Sequence, residues 1–129
     1  MESHMKKILI VDDVQEYLSS LSRALSGEYE IVKATSLDEA KERMDNTVHL
    51  ALVDVRLSEE DMANRDGILF LDWLKENHPG VPVIMMSAYR DFESLLESWN
   101  LGAYRYLKKP INLRELKDLI KSLTKDVET

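Results

Sequence analysis

The amino-acid sequence predicts one α/β domain built on a doubly wound parallel sheet, and three observations lead to this prediction. Five short apolar runs alternate with five longer segments whose apolar residues recur at helical spacing. The apolar runs are nearly continuous, which indicates strands that are buried on both faces. A length of 129 residues suits one compact domain. Right-handed crossovers between parallel strands would then place helices on both faces of the sheet.

In the first half of the chain, strands are predicted over residues 7–11, 30–34 and 48–53, each an apolar run. The first helix is indicated by apolar residues three or four positions apart, and Gly27 is expected to end it. These residues are Val14, Leu18, Leu21 and Leu25. Ser36 followed by Glu39 forms a capping box, which predicts the start of the second helix.

In the second half, strands are predicted over residues 81–86 and 104–107. The third helix is marked by Ile68, Leu71 and Leu74 and is closed by His78-Pro79-Gly80. The fourth helix is marked by a stripe of Phe92, Leu95, Leu96 and Trp99 that stops near Gly102. Asn112 with Glu115 is expected to cap a fifth helix, whose inward face carries Leu116, Leu119, Ile120 and Leu123.

Composition excludes several classes of protein. The net charge is −7 and the basic residues are scattered, so neither direct nucleic-acid binding nor a membrane partner is expected. Cysteine is absent, which excludes disulfides and thiolate metal sites and fits a cytoplasmic location. No apolar run is long enough to span a bilayer. Residues 1–4 read as the remnant of an expression tag, with the native chain starting at Met5.

The predicted strands end in residues that could build a binding site. The first strand ends in Asp12-Asp13, the third ends in Asp54, the fourth ends in Ser87, and the fifth runs into Lys109-Pro110. In a doubly wound sheet the ligand site lies at the carboxyl ends of the strands, near the point where the strand order reverses. We therefore expect the five polar side chains among these to converge at one edge of the sheet.

The chemistry of this set indicates a phosphoryl-binding site. Clustered carboxylates repel one another and call for a cation. Oxygen ligands without His or Cys favour Mg²⁺ over zinc. Lys109 would supply a positive charge and Ser87 a hydrogen bond to a phosphoryl group. A carboxylate can also act as a nucleophile and form an aspartyl-phosphate, and phosphoryl transfer needs mainly positioning and charge neutralisation.

Four motifs together resemble the receiver domain of response regulators from two-component signalling, including the chemotaxis receivers. They are Ile8-Leu-Ile-Val-Asp12-Asp13, Leu52-Val-Asp54, Met85-Met-Ser87-Ala88 and Gly102-Ala-Tyr-Arg-Tyr106-Leu-Lys-Lys109-Pro110. The resemblance covers roughly residues 6–123 and rests on the order and spacing of the motifs. It implies a flavodoxin-like fold with five helices and strand order 2-1-3-4-5. The receiver domain would occupy residues 5–125, with no output domain in the chain.

The resemblance also implies a role for each site residue. Asp54 would accept a phosphoryl group from a sensor histidine kinase or phosphotransfer protein. Mg²⁺ would be held by the carboxylates of Asp12, Asp13 and Asp54 and by the backbone carbonyl of Arg56. Lys109 and Ser87 would bind the phosphoryl group. The protein would be a signalling phosphoacceptor, which catalyses at most its own phosphorylation and dephosphorylation.

Further implications of the resemblance concern switching. Tyr106 would turn inward when Ser87 moves, and the face formed by the fourth helix, fifth strand and fifth helix would be the output surface and a candidate surface for homodimerisation. The Lys109–Pro110 bond would be cis. Arg56 and Tyr89 stand at positions that tune dephosphorylation in this family.

The sequence departs from the family pattern at two places. The segment 56–66 is several residues longer than the usual loop before Gly67, and its Glu59, Glu60 and Asp61 add acidic residues close in sequence to an acidic site. In the fifth strand, Tyr104 and Arg105 replace the acidic residues that winged-helix regulators use in dimer pairing. Because segment 56–66 is longer, the exact shape of the site does not follow from the family pattern. Because the acidic residues of the fifth strand are replaced, dimer pairing as in the winged-helix regulators is doubtful.

Simpler interpretations of the same residues remain open at this stage. Asp12 and Asp13 could cap the first helix, Asp54 could be a turn residue, and Tyr106 could be an ordinary half-buried tyrosine. Two other functions compete with the phosphorylated switch. One is a receiver fold that serves as an interaction module and is never phosphorylated. The other is an enzyme such as an aspartate-nucleophile phosphatase, although Arg56 stands where such enzymes carry a second acid.

Overall fold

The computed structural model describes residues 5–58, 60–88 and 92–125 and confirms the predicted doubly wound α/β fold. One sheet of five parallel strands has the order β2-β1-β3-β4-β5. The strands are β1 Lys7–Val11, β2 Glu30–Ala34, β3 Val48–Asp54, β4 Val83–Ser87 and β5 Arg105–Lys108. The helices are α1 Gln15–Leu25, α2 Leu37–Arg43, α3 Asp66–Asn77, α4 Phe92–Asn100 and α5 Leu113–Thr124. The order reverses between β1 and β3, so this is where the fold favours a ligand site.

The predicted starts of two helices are confirmed by their capping hydrogen bonds. The side chain of Ser36 accepts a hydrogen bond from the backbone N–H of Glu39 at the start of α2. Asn112 accepts in the same way from the N–H of Glu115 at the start of α5. These caps satisfy amide groups that have no partner within the helix. Helices in the described ranges contain seven to twelve residues, and none of them could cross a membrane.

The three central strands β1, β3 and β4 are largely buried on both faces, and their alternate residues point into two separate cores. One core contains Leu9, Val53 and Met85 together with α2 and α3 residues such as Leu71. The other contains Ile10, Leu52, Ile84 and Met86 with side chains from α1 and α5, namely Leu18, Leu21, Leu25, Leu116 and Ile120. Because side chains alternate across a strand, each of these central strands is fixed in register by both cores. The strand ends are therefore rigidly placed.

Helix α4 forms as predicted, but its apolar stripe faces outward. Leu95, Leu96 and Trp99 are 38%, 47% and 60% exposed. Ser94 and Ser98 are buried instead. Of the α4 side chains that the structure describes, none belongs to either core; that of Phe92 lies outside the described residues. The spacing of the apolar residues therefore predicted the helix correctly. It did not show whether the apolar face of the helix points to the core or to solvent.

Two strand ends that matter for the site lie where the sequence predicts them. Asp54 and Ser87 are the last residues of β3 and β4. Asp54 pairs in register with Met86, and Ser87 pairs with Lys108. Both residues are therefore held by the sheet, which positions a side chain more precisely than a loop does.

Candidate functional site

The carboxyl ends of β1, β3 and β5 bring two carboxylates and one lysine into direct contact. Nζ of Lys109 donates to Oδ2 of Asp12 at 2.7 Å and to Oδ2 of Asp54 at 2.6 Å. Asp12 is fully buried, and the side chains of Asp54 and Lys109 are only 10% and 11% exposed. Such short, shielded ion pairs are stronger than surface pairs because little water screens them. The predicted convergence of these three residues is present.

The second oxygen of each buried carboxylate is tied to the backbone. Oδ1 of Asp12 accepts from the N–H of Val14 at 2.9 Å, and Oδ1 of Asp54 accepts from the N–H of Arg56 at 3.1 Å. Val14 is the N-cap of α1, and its cap position has no side-chain hydrogen bond. Asp12 therefore braces the turn before α1 without being its N-cap residue. Both carboxylates are fixed in orientation by one amide and one ammonium group.

Burial and charge shift the proton affinities of the paired groups. Burial raises the pKa of Asp54 to about 6, against the opposing effect of Lys109, and the negative charge of Asp12 adds to the increase. Burial alone would lower the pKa of Lys109, but the charge of Asp54 and the hydrogen bonds to Asp12 and Asp54 outweigh it and raise the pKa. At neutral pH the lysine is thus firmly charged, and most of the Asp54 carboxyl groups are ionised.

The raised pKa of Asp54 predicts that stability falls as pH rises when divalent metal is removed. The folded state holds the Asp54 proton more tightly than the unfolded state, from the ordinary pKa of 3.8 up to about 6. This stabilising contribution is complete below pH 3.8 and is lost as pH rises through about 6. One pKa unit corresponds to about 1.4 kcal/mol, so we expect a full loss of about 3 kcal/mol, of which about 2 kcal/mol falls between pH 4 and 6.

Urea denaturation in EDTA across this pH range measures the effect, with Asp54→Asn as the control. The variant lacks the titrating group but keeps the shape of the side chain. The stability of the wild type relative to Asp54→Asn should fall as pH rises from 4 to 6, the window set by the two pKa values. Parallel curves for the two proteins would contradict this expectation.

Three carboxylates at the strand ends suit a hard divalent cation. Asp12, Asp13 and Asp54 each offer an oxygen, and these oxygens lie within 4.8 Å of one another. An all-oxygen, all-carboxylate donor set matches the preference of Mg²⁺ and gives no reason to expect zinc or copper. The residues therefore fit the metal that the sequence predicts.

A cleft of about 80 Å³ opens over this group. Its lining includes four residues singled out from the sequence: Asp13, Asp54, Arg56 and Lys109. It also includes Val14, Ser58 and Ala88, to which the sequence analysis gave no role in the site. Ser58 lies only four residues after Asp54, so its nearness in sequence was a usable signal. The cleft is small and polar at its base, which suits a phosphoryl group and a hydrated ion.

Ser87 and Tyr106 lie beside the site on neighbouring strands. Ser87 is buried at the end of β4, and its backbone carbonyl accepts from the N–H of Lys109 at 2.8 Å. Tyr106 is partly buried in β5 and packs against the core on the α2–α3 side of the sheet. The Lys109–Pro110 peptide bond is cis. Tyr89 lies outside the described residues.

The long segment after Asp54 is braced by Asn64. Oδ1 of Asn64 accepts from the N–H of Leu57 at 2.9 Å and from the N–H of Asp66 at 3.0 Å. These bonds tie the start of the segment to the start of α3. The guanidinium of Arg56 donates to the carbonyl oxygen of Met62 at 3.3 Å and also contacts its sulfur atom. The described part of the segment is therefore folded back on itself.

The later part of the same segment, residues 60–66, contacts α4 and does not line the cleft over Asp54. Arg65 forms an ion pair with Glu97 of α4. Asp61 lines a separate surface depression with Arg65 and Glu97, and neither Glu60 nor Asp61 lines the cleft over Asp54. Glu59 lies outside the described residues. The acidic residues are near Asp54 in sequence, but the two described ones do not add to the lining of the site.

Tyr17 is a neighbour of the site that the sequence analysis missed. Nζ of Lys109 lies 4.2 Å from the centre of the Tyr17 ring. Burial raises the pKa of the Tyr17 hydroxyl, while a backbone hydrogen bond with Ile111 and the charge of Lys109 act in the opposite direction. Its place in the first turn of α1, four residues after Asp13, is the signal that could have identified it.

Known proteins share this sequence pattern and this fold. The family model for the response regulator receiver domain matches residues 8–121. The chain belongs to the response regulator receiver domain family. Receiver domains are signalling modules of two-component systems and not classical enzymes, and they usually bind Mg²⁺ at an acidic pocket.

Individual relatives agree with this assignment. The DNA-binding transcriptional regulator NtrC of Klebsiella pneumoniae is 33% identical over 111 residues, which cover 86% of this receiver domain chain and 23% of that protein. The transcriptional regulatory protein CpxR of Escherichia coli K12 is 35% identical over 120 residues, which cover 92% of the chain and 49% of that protein. A CheY-like receiver domain protein from Methanospirillum hungatei JF-1 superposes with a TM-score of 0.83 at 34% identity, covering 92% of this chain and 93% of that one.

The receiver domain chain spans about a quarter of the length of NtrC and about half of the length of CpxR. The similarity therefore concerns the receiver portion of these regulators.

Proposed function

We propose that this receiver domain accepts a phosphoryl group on Asp54 from a sensor histidine kinase or phosphotransfer protein. The observation that carries the proposal is the contact of Lys109 with both Asp12 and Asp54 at the strand ends, beside a third carboxylate on Asp13. A structural ion pair alone would not need a third acid next to it. We further propose that the domain extends over residues 5–125 and works in the cytoplasm.

In the proposed reaction a carboxylate oxygen of Asp54 attacks the phosphorus atom of a phosphohistidine. An oxygen–phosphorus bond forms, the nitrogen–phosphorus bond breaks, and the histidine leaves with the bonding electron pair and takes up a proton. Lys109 is already within 2.6 Å of Asp54 and can transfer its contact to an oxygen of the bound phosphoryl group. The hydroxyl of Ser87, at the end of the adjacent strand, is suited to donate a second hydrogen bond.

Asp12, Asp13 and Asp54 would hold Mg²⁺, with the backbone carbonyl of Arg56 as a further ligand. The bound ion would supply positive charge that offsets the negative charge of the transferred phosphoryl group. Three carboxylates and one ammonium leave a formal charge of −2 at the site, so the cleft has the charge needed to attract a divalent cation. Asp12 and Asp54 are already oriented by backbone amides.

The proposed signal passes from Asp54 to the face formed by α4, β5 and α5. Ser87 is joined to Lys109 by a backbone hydrogen bond, and Tyr106 lies on the strand next to Ser87. Phosphorylation would draw in Ser87 and turn Tyr106 inward. The exposed Leu95, Leu96 and Trp99 of α4 give this face the apolar area that a protein partner or a second copy of the chain could cover.

Intact-protein mass spectrometry after incubation with acetyl phosphate and Mg²⁺ tests the proposal. The wild type should gain the mass of one phosphoryl group, because Asp54 is the acceptor. Asp54→Asn should gain none, while Asp72→Asn, which alters an exposed aspartate of α3, should behave as the wild type. Chelation of Mg²⁺ should abolish the adduct in all of them.

The competing function is an interaction module that is never phosphorylated. It predicts no adduct in any variant and no heat of Mg²⁺ binding in calorimetry. An adduct that persists in Asp54→Asn would overturn the assignment of Asp54 as acceptor while leaving phosphorylation itself in place.

A further inference from the structure

The ammonium group of Lys109 is enclosed on two sides by acids and on a third side by an aromatic ring. Its Nζ atom lies 2.7 Å and 2.6 Å from oxygens of Asp12 and Asp54 and 4.2 Å from the centre of the Tyr17 ring. A lysine ammonium carries three hydrogens. Two of them are used by the carboxylates, which leaves the third for the negative face of the ring.

The position of Tyr17 in the fold makes this contact well defined. Tyr17 belongs to α1, and its partly buried ring packs against the core formed with α5. Its hydroxyl is joined to the backbone of Ile111, two residues after Lys109. The ring is therefore held between α1 and the segment that follows β5. It replaces water on one side of the lysine, whose side chain is only 11% exposed.

We infer that Tyr17 is a positioning residue that holds the Lys109 ammonium over Asp54, ready to bind the incoming phosphoryl group. The inference rests on the proposed function of Asp54. On phosphorylation the Asp54 oxygen loses its full charge, and the lysine must move to the phosphoryl oxygens. Tyr17 keeps the ammonium from turning outward to water at that moment, and the ring contact is retained because it does not depend on either carboxylate.

Two substitutions separate the ring face from the other properties of Tyr17. Tyr17→Phe keeps the ring and removes the hydroxyl, whereas Tyr17→Leu keeps apolar bulk and removes the ring. Tyr104→Leu is the matched control, because Tyr104 also stacks with a cation, Arg105 at 4.8 Å, but is exposed and away from the site. Thermal denaturation of each variant checks that the fold is intact.

The first measurement is NMR of the Lys109 side chain in unphosphorylated, metal-free protein. The ring current of Tyr17 should shift the signals of the Lys109 Cε methylene group upfield. That shift should persist in Tyr17→Phe and Tyr104→Leu and disappear in Tyr17→Leu. Unchanged signals in Tyr17→Leu would overturn the inference, whatever the protein does with phosphate.

The second measurement is the rate of phosphorylation by acetyl phosphate with Mg²⁺. Tyr17→Leu should be slower than the wild type by about threefold to tenfold, the range that a partly desolvated cation–π contact supplies. Tyr17→Phe and Tyr104→Leu should stay within about twofold of the wild type, because both keep the ring over Lys109. Equal rates in the wild type and Tyr17→Leu would overturn the inference about Tyr17 but leave the proposed function of Asp54 in place. A wild type that takes up no phosphoryl group would overturn the proposed function, and the NMR signals would then decide whether Tyr17 positions Lys109.

Discussion

Lys109→Met is expected to make the stability of this receiver domain depend on divalent metal. In the metal-free protein Lys109 is in direct contact with Asp12 and Asp54, and its removal takes this charged partner away from a fully buried carboxylate. Breaking a buried ion pair by removing one partner costs about 3–5 kcal/mol. Partial protonation of the acids would limit this loss, so we expect about 3 kcal/mol at neutral pH.

Magnesium should restore much of the lost stability, and by more than it stabilises the wild type. The ion would replace the missing positive charge, and without the lysine it would meet a more negative site. Urea denaturation with and without Mg²⁺ measures both effects. Lys108→Met is the control, because Lys108 is the exposed neighbour and makes no ion pair with the strand-end acids among the described residues. Equal losses in the two variants, or no difference in their response to Mg²⁺, would contradict the role given to Lys109.

This prediction depends on residues that the sequence identified. Asp12, Asp54 and Lys109 each lie at or next to the end of an apolar strand, and the ends of parallel strands meet at one edge of the sheet. Their convergence follows from chain topology and needs no detail of side-chain packing. The convergence of these residues could therefore be predicted from the sequence, although Asp12 and Lys109 are 97 residues apart in the chain.

The parts that the sequence did not reveal depend on side-chain direction. The spacing of Leu95, Leu96 and Trp99 identified α4, but not that these residues face outward while Ser94 and Ser98 are buried. A periodic stripe shows that one face of a helix is apolar and leaves open which side is covered.

The path of the segment after Asp54 could not be predicted from the sequence either. It depends on two amides that share the side chain of Asn64 and on an ion pair between Arg65 and Glu97. Length and composition showed an acidic insertion next to the site. They could not show that its described acidic residues stay out of the cleft lining, because that outcome is decided by contacts between residues far apart in the chain.

Gly67→Ala is expected to damage both the stability and the site of this domain. A Cβ atom at Gly67 would lie 1.8 Å from the carbonyl oxygen of Asp54, 2.7 Å from its carbonyl carbon and 2.8 Å from the carbonyl oxygen of Val55. All three are backbone atoms, so no side-chain rotation can relieve the overlap. The N–H of Gly67 also donates to the oxygen of Val55 at 2.9 Å, and moving α3 away would break this bond. Overpacking of this kind costs about 3 kcal/mol or more.

The damage should extend to function because the two nearest overlapping atoms belong to Asp54, the proposed acceptor itself. Relief of the clash would shift the end of β3, and small displacements of a reacting group have large effects on rate. We therefore expect slower phosphorylation of Gly67→Ala by acetyl phosphate and weaker Mg²⁺ binding, measured in protein that is still folded at low temperature.

Gly27→Ala is the matched control, since nothing lies within 4 Å of the added Cβ and its φ is not in the left-handed region. Its stability should rise by about 0.5 kcal/mol, because alanine restricts the unfolded chain. Gly67→Ala could instead lose stability and still be phosphorylated at the wild-type rate. The close approach of α3 to β3 would then matter for folding alone. In that case the position of Asp54 would be fixed by the sheet and by the N–H of Arg56, and not by α3.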